Sequence, residues 1–183
     1  MAKIFEILGF KVNSNPLCFN DTDDFILLDN NVSYYINDTI LQCYNNIEMF
    51  EAFHDYPYSF NYEYINNTFP DSKFILTIRD SEKWFNSLIN YQYIQGASNK
   101  NLLKKIYGYE VILLENKTEI IFKYDEYNTN IIKYFKDTPD KLLIVDLTKD
   151  NINLENLSKF LNKNINFEIP HENKQTYNNI DNL

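Results

Sequence analysis

Arg79 stands where an apolar run ends and a helical pattern begins, and Ser87 follows eight residues later. A guanidinium grips a phosphate through two parallel N–H bonds, and a helix N-terminus adds backbone donors and partial positive charge. Asp80 is placed to cap that helix, and Ser87 lies seven positions beyond it. That is about two helical turns, so the Ser87 hydroxyl projects from the same side. Arg79 and Ser87 are therefore a candidate phosphate grip. The plainer alternative, with Arg79 engaged by Asp80 and Ser87 facing water, rests on the same spacing.

His54 and Asp55 form the second candidate, in a segment crowded with aromatics before Pro57. An imidazole near neutral pKa accepts a proton from a hydroxyl, and an adjacent carboxylate orients it. Asp55 is itself an alternative base. The structural alternative makes His54 a packed side chain and Asp55 a loop carboxylate. His171, after Pro170, reads as a surface-loop residue. Neither histidine has a Cys or His companion at metal-ligand spacing, so no metal site is expected.

These residues need elements to hold them. The run from Lys73 to Ile78 has the β-branched and apolar density of a buried strand, closed by Arg79 and Asp80. Trp84, Phe85, Leu88 and Ile89 then give the following helix one apolar face. A second strand of the same kind runs from Leu142 to Val145 and ends at Asp146. Between them, Ile120, Ile121, Tyr124, Tyr127, Ile131, Ile132 and Phe135 recur at helical spacing, and Thr138-Pro139-Asp140 turns the chain. Leu154, Leu157, Phe160 and Leu161 predict a short closing helix. At the other end, Ile4 to Leu8 predicts the last turns of a helix stopped by Gly9, and LGFKVNS a short extended piece. Asp21 to Asp24 reads as an acidic turn, Phe25 to Leu28 as a short apolar run. Helical spacing extends from Tyr34 to Phe53, and a further helix, through Phe60, Tyr64 and Ile65, ends near Phe69-Pro70. Strands alternating with helices predict the α/β class, a parallel sheet flanked by helices.

Composition bounds the rest. With 183 residues, a single domain over 1–183 is expected, and 44% hydrophobic content supplies a core. Acidic side chains outnumber basic ones by 26 to 17, giving a net charge of −9. That excludes a general nucleic-acid or anionic-membrane binder, but not a small anion held by local donors. The 15 Tyr and 14 Phe therefore read as core and sheet-covering residues rather than a base-stacking platform. Asn and Ile are abundant throughout, a global bias and not a functional tract. Cys18 and Cys43 form neither a disulfide framework nor a zinc spacing. No membrane-length apolar run and no secretory leader pattern occur, which sets a cytoplasmic expectation. The three glycines, Gly9, Gly96 and Gly108, lie too far apart to write a glycine-rich phosphate loop.

Residues 69–89, FPDSKFILTIRDSEKWFNSLI, resemble the central block of the sulfotransferase family. FHDYPYSFNYEYINNTFP resembles the segment before it. YDEYNTNIIKYFKDTPDKLLIVDLTKDN resembles the helix leading into the family's later strand. LENLSKFLNKNINFEIPHENK resembles its closing helix and tail. The four blocks keep order and spacing over about residues 4–174. The resemblance implies a P-loop NTPase-like parallel sheet and transfer of a sulfuryl group from PAPS (3′-phosphoadenosine 5′-phosphosulfate) to a hydroxyl or amine on a small-molecule acceptor of unknown class. It implies that Arg79 and Ser87 hold the donor's 3′-phosphate, that His54 or Asp55 is the base, and that no metal is needed. Oligomeric state is not legible.

Three departures from the family pattern bear on activity. AKIFEILGFKV resembles the helix after the family's Gly-x-x-Arg-Thr-Gly-Thr loop, so the chain reads as lacking the first strand and the P-loop that cradle the 5′-phosphosulfate. Losing one such donor costs about 2.7–4 kcal/mol of transition-state stabilisation. Ile152-Asn-Leu-Glu155 stands where the family often has Gly-Trp-Glu, and Asn128 replaces the family's usual His. Three readings stay open: a sulfotransferase relative with a late start, a degenerate gene fragment, and a catalytically inactive binding or interaction module on the same scaffold.

Overall fold

The computed structural model describes residues 2–13, 50–54, 58–95, 100–148 and 153–166. The expected acidic turn at Asp21–Asp24, the run from Phe25, the body of the helix from Tyr34, both cysteines, Gly96, Pro57 and His171 lie outside them. In order, the elements are α1 (Ala2–Ile7), β1 (Val12–Asn13), β2 (Ala52–Phe53), α2 (Tyr62–Thr68), β3 (Phe74–Ile78), α3 (Ser81–Gln95), α4 (Lys100–Tyr107), α5 (Lys117–Tyr134), β4 (Leu142–Asp146) and α6 (Leu154–Leu161). Short 3-10 turns at Tyr58–Asn61, Leu114–Asn116 and Pro139–Lys141 lead into α2, α5 and β4.

Among the described residues the strands form two parallel pairs, β1 with β2 and β3 with β4. The class is α/β, a small parallel sheet flanked by helices. The β3–β4 register sets Phe74 opposite Leu142 and Ile78 opposite Asp146. One sequence expectation fails at its end. The helical spacing counted from Tyr34 to Phe53 does not reach Phe53, because Ala52 and Phe53 are β2, paired with Val12 and Asn13. The backbone N–H groups of Glu51 and Ala52 both donate to the Lys11 carbonyl, at 2.8 and 3.2 Å. A partner forty residues away thus overrides local periodicity.

Gly9 ends α1 as expected. Its φ of +81° is open to glycine at no steric cost. It donates to the Glu6 carbonyl while Phe10 donates to the Phe5 carbonyl, and the Phe5 and Phe10 rings meet edge to face. This is the Schellman ending, with its apolar contact. α6 ends the same way around Asn162, φ +52°, with Lys163 donating to the Ser158 carbonyl.

The helix faces read from the sequence pack as two clusters. Phe85 and Ile89 of α3 meet Leu103, Ile112 and Ile120. Leu76 of β3 meets Ile131 and Phe135. Phe85 and Phe135 are completely enclosed, each contributing about 1.5–3 kcal/mol. α5 serves both clusters, Ile120 at its start in the first and Ile131 near its end in the second. Behind it, the Tyr134 hydroxyl of α5 accepts from the Asn66 side-chain amide of α2, whose Oδ1 accepts a hydrogen bond from Lys141 Nζ. Lys73, just before β3, donates to the Phe160 carbonyl at the end of α6.

Candidate functional site

The carboxyl ends of β3 and β4 and the start of α3 meet at one place. Leu147 donates its N–H to the Ile78 carbonyl at 2.7 Å, carrying the parallel ladder one step past the strands. Arg79 follows directly, half-buried. Its backbone N–H donates to the Tyr124 hydroxyl at 2.9 Å, and the same hydroxyl faces the Arg79 carbonyl at 3.4 Å. The Tyr124 ring stacks on Trp84, with centroids 4.0 Å apart and planes 15° from parallel. The next residue, Asp80, donates its N–H to Thr148 Oγ1 at 2.7 Å, and Thr148 donates its own N–H to Asp146. Ser81 Oγ donates to Asp125 at 2.7 Å. Three consecutive residues, 79 to 81, are thus tied to α5 or to the end of β4.

Asp80 caps α3 as its position predicts. Its Oδ1 accepts from the Lys83 N–H at 2.9 Å. The carboxylate beside the proposed phosphate grip is therefore committed to the positive end of the helix, and it occupies one first-turn donor. Ser87 lies two turns along α3 and is half-buried. Arg79 and Ser87 thus belong to one strand–turn–helix unit. His54 belongs to the other strand pair, immediately after β2, and its Nε2 is shut off from solvent. Asp55 lies outside the described residues. Asn128 is buried on α5, one turn beyond Tyr124, and Asn153 caps α6 by accepting from the Asn156 N–H at 3.0 Å.

A third aromatic, Tyr107, packs near Trp84 with centroids 6.2 Å apart. Burial is the main cause that pushes its phenol above the ordinary tyrosine range, with the Tyr127 and Tyr124 hydroxyls adding to it. Gly108 follows, at φ +85°, and donates to the Lys104 carbonyl to end α4. Both described glycines therefore serve helix ends.

Tyr124 and Thr148 are the residues that sequence reasoning passed over. Tyr124 registered only as part of an apolar helix face. For Thr148 a signal existed: continuing the β3–β4 register by two residues past Ile78 and Asp146 sets Asp80 beside it.

Arg79 thus stands at the ends of a parallel strand pair, beside a capped helix start, where open α/β sheets generally take their ligands. The sulfotransferase domain model matches residues 1–100, more than half the chain, and the protein belongs to the sulfotransferase family. The matched stretch holds His54, Asp55, Arg79 and Ser87; β4, α5 and α6 lie beyond it. No curated protein matches the chain.

Proposed function

We propose that this chain binds the nucleotide of PAPS, with Arg79 and Ser87 holding the 3′-phosphate, and serves sulfuryl transfer to a hydroxyl or amine of a small-molecule acceptor. The observation that carries the reading is the placement of Arg79: it follows β3 at the strand ends, on a backbone fastened by Tyr124 and next to a capped helix start. A guanidinium and a hydroxyl two turns apart are donors of the right chemistry for a phosphate. PAPS supplies the activated sulfuryl group. The chain's part is to bind the nucleotide, to orient the acceptor, and to take the acceptor's proton on the His54 imidazole or on the Asp55 carboxylate.

A second reading keeps nucleotide binding without turnover. The commitment of Gly9 and Gly108 to helix ends favours it, since neither contributes to a loop around the transferring group.

Calorimetric titration with PAP (3′,5′-phosphoadenosine) tests the shared part. Saturable binding is expected, with Arg79→Ala weakening it at least tenfold. Equal binding by Arg79→Ala would remove the phosphate-grip assignment. A sulfuryl-transfer assay then separates the two readings. If transfer occurs, changing the base, by His54→Ala or Asp55→Asn, should cost about 10²–10⁴ in rate while PAP affinity holds.

A further inference from the structure

The three ties on residues 79 to 81 do more than close a turn. Arg79 ends a strand and begins a helix connection, a place where backbone usually adapts. Here one phenol hydroxyl accepts from its N–H and reaches its carbonyl, from α5, 45 residues away in the chain. The ring that carries this hydroxyl is itself held flat against Trp84, in the first turn of α3. On the next residue, Thr148 takes the Asp80 N–H, and Asp146 in turn fixes Thr148. The two hydroxyls therefore set the direction in which the Cα–Cβ bond of Arg79 leaves the backbone relative to α3, the helix that carries Ser87.

We propose that Tyr124 and Thr148 are positioning residues for phosphate recognition: they lock the backbone at Arg79 and Asp80, so that the guanidinium and the Ser87 hydroxyl converge on one phosphate. This rests on the reading of Arg79 and Ser87 given above. Neither Tyr124 nor Thr148 needs to touch the ligand. A guanidinium fork gains its two-point grip only when its direction is fixed, so loosening the turn costs phosphate affinity while the rest of the nucleotide is held as before.

The test compares two ligands that differ only in the 3′-phosphate, PAP and adenosine 5′-phosphate, titrated against the 183-residue chain and its Tyr124→Phe and Thr148→Val variants. Each variant removes a hydroxyl and little volume. The expected result is a loss of about tenfold in PAP affinity, as for one lost hydrogen bond, with adenosine 5′-phosphate changing less than about twofold. A merely structural role would weaken both ligands alike, and that result overturns the proposal. So does unchanged PAP affinity in both variants. Where Tyr124→Phe fails to fold, Thr148→Val carries the test, because its hydroxyl lies in an exposed part of the turn. Arg79→Ala tells the two failures apart. If Arg79→Ala binds PAP like the parent, or the parent binds none, the phosphate grip is wrong and this proposal falls with it. If Arg79→Ala loses PAP and the hydroxyl variants do not, only the positioning role is wrong.

Discussion

The side-chain amide of Gln92 pairs with both backbone polar groups of Ile112. Its Nε2 donates to the Ile112 carbonyl at 2.5 Å, and its Oε1 accepts from the Ile112 N–H at 2.9 Å. Both residues are buried, and Ile112 is wholly enclosed. The glutamine acts as a one-residue strand, holding the segment between α4 and α5 against α3 and delivering Ile112 to the first cluster. Gln92→Met keeps the volume but leaves two backbone groups unpaired in a dry setting. A loss of about 2–4 kcal/mol in unfolding free energy is expected by urea titration, with the slope unchanged. A loss below about 1 kcal/mol would mean that water reaches Ile112.

Gly108 carries a conformational demand and hardly a spatial one. A Cβ built there would meet only the Lys123 Nζ, at 3.9 Å, yet the φ of +85° remains. Gly108→Ala should therefore destabilise by about 1 kcal/mol, and Gly108→Asn by less, since Asn tolerates the left-handed region. Thermal melts of the three chains should rank Gly, Asn, Ala. Equal midpoints for Gly and Ala would show that the turn relaxes to negative φ.

Asp80 joins α3 to the site. Asp80→Ala removes the acceptor for the Lys83 N–H and should cost about 1 kcal/mol, whereas Asp80→Asn should keep most of the cap. Thermal melts at low and high salt distinguish cap from charge: a cap loss is nearly salt-independent, and a loss of helix-dipole attraction shrinks with salt.

Tyr107 makes stability depend on alkaline pH. Its folded pKa is raised, chiefly by burial, above the unfolded value of 10.0. The folded state therefore keeps a proton that the unfolded chain gives up. The stabilisation is fully present below pH 10.0 and is lost as pH climbs through the raised folded value. Urea melts at about pH 8 and about pH 11 should show a drop for the parent that is smaller in Tyr107→Phe, which has no proton to lose. An identical drop in both would assign it to other tyrosines, Tyr58 among them, whose pKa burial also raises.

The sequence revealed elements wherever local chemistry decides them. β3 and β4 announce themselves as FILTI and LLIVD, α3 by the Asp80 cap and its apolar face, and the end of α1 by Gly9. What stayed hidden depends on partners far along the chain. β2 is a strand because Lys11 and Val12 lie beside it, and nothing within residues 50–54 says so. The candidate grip residues were legible as types at a spacing. Their support was not, since a tyrosine on a helix face looks the same whether its hydroxyl meets water or the Arg79 backbone. Gln92 is the same case, a polar residue in a helix whose partner lies 20 residues on.

α5 has one further consequence. Because Ile120 and Ile131 are fixed on one continuous helix, the two clusters share a single rigid beam. Fraying α5 at either end strips a wall from the neighbouring cluster, so neither can open alone without cost to the other. Amide hydrogens of β3 and of α3 should then exchange through the same opening event, with one free energy and one response to denaturant. The turn at Arg79 is fastened to the middle of that beam through Tyr124, so its amide hydrogens should exchange with the same opening event rather than with the mobility usual at a strand end.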